Sequence, residues 1–144
     1  QRCMVADPRL KEMRRRLNER KKRELWIPLA ASCLAEHGHR YFQHWQPQTF
    51  MSRSFTFLGE QRENLAAAGH DNATCRVQAV TAGSGFFRTL LECFYDLTGT
   101  AMVLNTSLNR HCEPIVHRPA EAMELVLAGV IDELMIERWL IRKR

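Results

Sequence analysis

Residues 104–109 read Leu-Asn-Thr-Ser-Leu-Asn, placing two asparagines, a threonine and a serine directly behind the apolar run 101–104. Asn105, Thr106, Ser107 and Asn109 are neutral groups able to hydrogen-bond a phosphate or a ribose. In an α/β sheet, ligands bind beyond the carboxyl ends of strands, and this run ends there. The same residues also suit a polar turn that bonds its own backbone. A second group is 20–28, Arg-Lys-Lys-Arg-Glu-Leu-Trp-Ile-Pro. Cations between a helix and a buried strand suit the oxygens of a polyphosphate, with Arg gripping two at once and Lys acting as a point charge. Lys21 and Arg23 lie two apart, so an extended chain puts both on one side; a solvated charged face has the same appearance in sequence. Arg76, opposite Val77 on its strand, is the third basic element.

The elements that must position these groups follow from periodicity. Asp7 and Pro8 read as N-cap and first residue of a helix carrying Leu10, Met13 and Leu17. Residues 26–34 read as a short strand entering the core, with a brief helix over 34–42 behind it. Residues 49–57 and 75–80 alternate as half-buried strands. Ser84 caps a helix with Phe87, Leu90, Leu91, Phe94 and Leu97, and Gly99 suits its left-handed end. A buried strand over 101–105, a helix over 119–128 ended by Gly129, and one or two strands over 133–141 complete the chain. Strands alternating with helices predict an α/β layer structure.

Composition narrows the class. The 144 residues suit one domain, and 45% hydrophobic with 26% charged residues is a globular balance. No apolar stretch reaches the roughly 20 residues of a membrane helix. Five cysteines without a C-x-x-C pair argue against a disulfide framework and a zinc ribbon, and a reducing cytoplasm is the expected location. The first ten residues lack a signal-peptide core and begin without Met, so upstream sequence is expected. Residues 9–24 hold nine Lys or Arg against three Glu, which accounts for the whole net charge of +5.

Seven stretches link these signals: "MVADPR" (4–9), "K-x-R-E-x-W-x-P-x-A-x-S" (21–32), "TFM" (49–51), "H-D-x-x-x-x-R-V-Q" (70–78), "LNTSLN" (104–109), "EPIV" (113–116) and "IRK" (141–143). In this order they resemble the C-terminal region of the nodulation and cephamycin carbamoyltransferase family, over nearly all of the chain. The resemblance implies a single domain over 1–144 with a YrdC-like fold, an open twisted mixed sheet with helices packed on it. It implies that this domain makes carbamoyl adenylate from carbamoyl phosphate and ATP, with Mg2+ accompanying the nucleotide. An N-terminal partner domain, absent from these residues, then carries out O-carbamoyl transfer. By the same resemblance Lys21, Arg23 and Arg76 are the catalytic cations, Thr106, Ser107 and Asn109 lie at the nucleotide, and His70 orients a phosphate or caps a turn. Two positions depart from the family pattern: Ile27 stands where Arg is usual before Pro28, and Cys112 stands where glycine is usual before Glu113.

Two other readings remain at this level. The basic segment 9–23 would bind RNA, DNA or another polyanion through its phosphates. Alternatively, the domain would be degenerate and structural, as Ile27 and Cys112 suggest. His37, His39 and His44 lack metal-ligand spacing and read as surface or packed side chains, so no metal site is expected. Phe86, Phe87, Phe94 and Tyr95 read as core packing.

Overall fold

The computed structural model describes residues 1–143. Five strands form one mixed sheet in the order β1-β5-β2-β4-β3. They are β1 (Cys3–Ala6), β2 (Ala30–Leu34), β3 (Ser54–Thr56), β4 (Thr74–Val80) and β5 (Met102–Ser107). The parallel pair β2/β4 sets Ala31 opposite Val77, while β5 runs antiparallel between β1 and β2. A separate hairpin, β6 (Glu133–Ile136) and β7 (Trp139–Arg142), pairs Leu134 with Ile141. The helices are α1 (Met13–Lys21), α2 (Gln61–Asn64), α3 (Phe86–Thr98) and α4 (Pro119–Leu127). The α/β class and the single mixed sheet match the expectation from sequence.

All five residues of β2, Ala-Ala-Ser-Cys-Leu, are buried, as a central strand covered on both faces requires. The main core gathers Leu17 of α1, Leu91 of α3, the sheet residues Ala31, Cys33, Val77 and Leu104, and an aromatic group. In that group Phe42 lies 5.1–6.0 Å from the rings of Phe57, Trp45 and Phe55. Gly38 passes so close to the Trp45 ring that a Cβ would collide with it. A second core joins Met4, Leu108 and Val116 to Leu125 and Val126 of α4 and Leu134 of the hairpin. Among the described residues no helix is long and apolar enough to cross a membrane.

Several boundaries differ from the sequence expectation, each for a physical reason. The helix predicted from Pro8 begins at Met13, because the Asp7 carboxylate is engaged by the Arg9 backbone N–H at 3.0 Å and by its guanidinium. That closes a turn and does not cap α1. The four residues before it form β1, an edge strand too short to show a period. The strand predicted over 49–57 shrinks to Ser54–Thr56, since Met51 adopts φ 51° and Phe50 is 88% exposed. Ser84 does not cap α3; its hydroxyl accepts the Thr81 N–H in a preceding 3-10 turn, and α3 starts after Gly85. Leu97, expected in the packed face, is 85% exposed.

The largest correction concerns β5. It continues through Ser107, two residues past the expected end at 105, so Thr106 and Ser107 are strand residues and not a loop beyond one. Because β5 opposes the parallel pair, its carboxyl end lies beside Ala30, at the amino end of β2. The rule that ligands sit beyond the carboxyl ends of parallel strands therefore does not apply here.

Candidate functional site

The last residue of α1 carries the first functional side chain. Beyond it Lys22 turns left-handed at φ 56°, ψ 45°, with its N–H on Asn18 O and Glu19 O, and the chain doubles back toward β2. Lys21 is only 2% exposed. Its ammonium donates to Ser107 O at 2.5 Å and to Asn109 Oδ1 at 3.0 Å, and lies 3.4 Å from Ser107 Oγ. Ser107 Oγ donates to Asn109 Oδ1 at 2.6 Å, and Asn109 Nδ2 donates to Glu113 O at 2.6 Å. The His111 N–H on Lys21 O at 2.8 Å ties the loop after β5 to the same residue. Burial, with the charge of Arg23 added, lowers the Lys21 pKa to about 8.

Arg23 is half-buried; its Nη2 donates to Pro28 O at 3.3 Å, while its buried Nε has no partner. Leaving such a donor open costs about 1–3 kcal/mol, and exceptions of this kind gather at functional sites. Burial and the charge of Arg76 both push the Arg23 pKa down. Arg76 is exposed near the start of β4, opposite Ser54. Burial also lowers the pKa of His70, with Arg76 and Arg14 acting in the same direction and Asp71 against them; its Nδ1 lies 3.1 Å from Thr74 Oγ1. Lys21 thus feels the charge of Arg23, and Arg23 and His70 both feel that of Arg76. Among the described residues, no carboxylate lies within 4.0 Å of Lys21, Arg23 or Arg76. Unneutralised cations raise the local positive potential; of the three, Arg76 and part of Arg23 reach solvent while Lys21 is buried.

The rest of the basic segment behaves differently. Arg15 pairs with Glu12 and Glu19, Arg16 and Arg20 share Asp132, Arg9 holds Asp7, and Arg14 bonds Gly69 O beside Asp71. The helix read as a free polyanion stripe is largely spent on ion pairs within the chain.

Thr106 does not join the cluster. Strand residues alternate faces, so it stands opposite Met4, away from the side shared by Asn105 and Ser107. Residue types alone gave no role to Ser32 or Gln78 and offered Asn105 as a ligand group, whereas Asn105 turns to a network within the sheet. Gln78 Oε1 accepts from Ser32 Oγ at 2.9 Å and Asn105 Nδ2 at 3.3 Å, and Asn105 Nδ2 also reaches Ser32 Oγ at 2.7 Å. Arg76 lies two residues before Gln78 on the same face, so this buried polar row runs on from the cations. The signal was present as single polar residues inside otherwise apolar strands, which stay buried only if partnered. Two cavities, about 640 and 580 Å3, lie away from the cations. The second is lined by Val5, Gln78, Phe86 and Phe87; Phe86, expected in the core, is 62% exposed there.

Of the two departures, Ile27 is half-buried with its carbonyl held by Asn18, and Cys112 is exposed with φ 62°. A Cβ in that left-handed conformation costs about 1 kcal/mol. Cys112→Gly is accordingly expected to raise stability by about 1 kcal/mol in urea unfolding, with an unchanged m-value.

The sequence model of the family described as Carbamoyltransferase C-terminus matches residues 1–143. The chain belongs to that family. It is 33% identical over 148 residues to nodulation protein NolNO of Sinorhizobium fredii, covering 99% of this chain and 22% of the relative. Nodulation protein NolO of Bradyrhizobium diazoefficiens is 33% identical over 150 residues, covering 99% of the chain and 27% of the relative. The 3'-hydroxymethylcephem-O-carbamoyltransferase of Amycolatopsis lactamdurans is 30% identical over 145 residues, covering 96% and 26%. The chain thus spans about a quarter of the length of these relatives, as a C-terminal domain.

Proposed function

We propose that the domain binds ATP and carbamoyl phosphate at the cationic end of its sheet and forms carbamoyl adenylate, which an N-terminal partner domain uses for O-carbamoyl transfer. The observation carrying this reading is that Lys21, bonded to Ser107 and Asn109, feels the charge of Arg23, which in turn feels that of Arg76, with no carboxylate partner on any of the three among the described residues. Water hydrolyses carbamoyl phosphate to carbamate and inorganic phosphate; a carbamate oxygen then attacks the α-phosphorus of ATP, a new O–P bond forms, and the bond to the departing pyrophosphate breaks. Charge builds on phosphate oxygens as this happens. Arg23, held on Pro28 O, and the exposed Arg76 stabilise it without a protein nucleophile. Lys21 supplies a third positive charge from beneath Ser107 and Asn109.

Among the described residues no group of three His, Cys, Asp or Glu side chains is placed to hold a metal ion. Mg2+ bound with the nucleotide would offset part of the charge on its phosphates. Support for carbamoyl transfer comes from the family and from the relative named as a cephem O-carbamoyltransferase.

The test is exchange of labelled pyrophosphate into ATP by the chain, supplied with a relative's N-terminal domain where needed. Exchange that depends on carbamoyl phosphate supports the proposal. Absence of both exchange and ATP binding by calorimetry removes it.

A further inference from the structure

Asn18 is polar yet wholly buried, and its bonds run to the turn that follows its own helix. Its Nδ2 donates to Leu25 O at 3.1 Å and Ile27 O at 2.9 Å, and its backbone O accepts the Arg23 N–H at 3.0 Å and the Lys22 N–H. Besides these bonds, the Ile27 N–H on Glu24 O at 3.2 Å closes the turn. Leu25 is 50% and Trp26 73% exposed, so apolar burial does not hold 24–26 in place. Lys22 at the head of the turn is left-handed, a conformation that persists only where the surroundings impose it.

We propose that Asn18 is the positioning residue for anion recognition, acting through Arg23. The inference rests on the anion-binding reading given above. Arg23 is anchored twice by reference to Asn18. Its backbone N–H lies on Asn18 O, and its Nη2 lies on Pro28 O, one residue beyond the carbonyl that the Asn18 amide holds. Fixing both ends of the turn fixes the direction of the guanidinium, which senses Arg76 from there. A residue needed only for packing would not have to be an amide, since leucine has a similar volume and no polar atom to satisfy. The Oδ1 is buried without a protein partner, so the amide is held by its two donor bonds alone.

The test compares wild type, Asn18→Leu, Arg23→Ala and the double variant for tripolyphosphate affinity by calorimetry, with urea unfolding in parallel. Asn18→Leu is expected to weaken binding roughly tenfold while remaining folded, and to cause no further loss in the Arg23→Ala background. Wild-type affinity in Asn18→Leu, or a loss that adds fully to that of Arg23→Ala, overturns the proposal. Should Asn18→Leu not fold, Asn18→Ser carries the same comparison. The ligand-free readout is 15N relaxation of the Arg23 Nε–H. A rigid signal in wild type that becomes mobile in the Asn18 variant supports positioning, and equal mobility refutes it. If no variant and not even the wild type binds tripolyphosphate, the proposed function fails and this relaxation comparison alone decides the role of Asn18.

Discussion

Lys21→Met is expected to abolish carbamoyl-phosphate-dependent pyrophosphate exchange, by a hundredfold or more, while changing stability at pH 7 by less than about 1 kcal/mol. Two opposing effects produce that small change. Removing the ammonium costs two charge-assisted hydrogen bonds of about 1.5 kcal/mol each, while Ser107 O keeps the Asn109 N–H at 3.1 Å and Asn109 Oδ1 keeps the Ser107 hydroxyl at 2.6 Å. It also removes a charge that the fold does not favour, since the Lys21 pKa falls from 10.5 to about 8. That displacement corresponds to about 3 kcal/mol against the charged form. The unfolded chain binds this proton more tightly than the folded one between about pH 8 and 10.5, so wild-type stability rises with pH across that window. The variant lacks the group, and its stability curve is expected to miss a rise of about 3 kcal/mol over the same window. Urea unfolding at pH 7, 9 and 10.5 measures both curves. A parallel rise in wild type and variant would remove Lys21 as the source. Anion affinity should move in the other direction, falling as pH climbs through about 8 and the ammonium is lost.

Arg76→Ala is expected to lower ATP affinity between tenfold and a hundredfold, with stability unchanged within about 0.5 kcal/mol. Arg76 is exposed and has no carboxylate partner among the described residues, so its removal breaks no ion pair. It also takes away the lesser of the two causes that depress the Arg23 pKa, burial being the larger, so that pKa should recover in part. Calorimetry at two salt concentrations separates this charge effect from a lost fit, because the variant should show a weaker salt dependence than wild type. Charge reversal at Arg15, already paired with Glu12 and Glu19, is the matched control and should leave ATP affinity unaltered.

How much of this was legible beforehand differs by element. The helix closed by Gly99 was predicted to within two residues at its start, because apolar spacing and the left-handed end are local signals. The strand over 75–80 was found for the same reason. Edge strand β1 was missed: its four residues owe their conformation to pairing with β5, about a hundred positions later. Likewise, Asp7 looked like a helix cap until Arg9 was seen to occupy its carboxylate.

At the site, residue type and chain order pointed to Lys21, Arg23, Arg76, Ser107 and Asn109 as a set compatible with anions. Whether they meet depends on the antiparallel insertion of β5 between β1 and β2, which brings its carboxyl end over the last turn of α1, 86 residues away in sequence. The same register turns Thr106 from the cluster and makes Ser32, Gln78 and Asn105 one network. Propensity and periodicity act over a few residues, and a strand's neighbour is chosen by long-range burial and backbone pairing. The sequence by itself therefore determined which groups were available and the class of layered fold. Only the tertiary structure decided that the cations stand together without carboxylates, while the other arginines of the same basic segment are neutralised by Asp132 and the nearby acids.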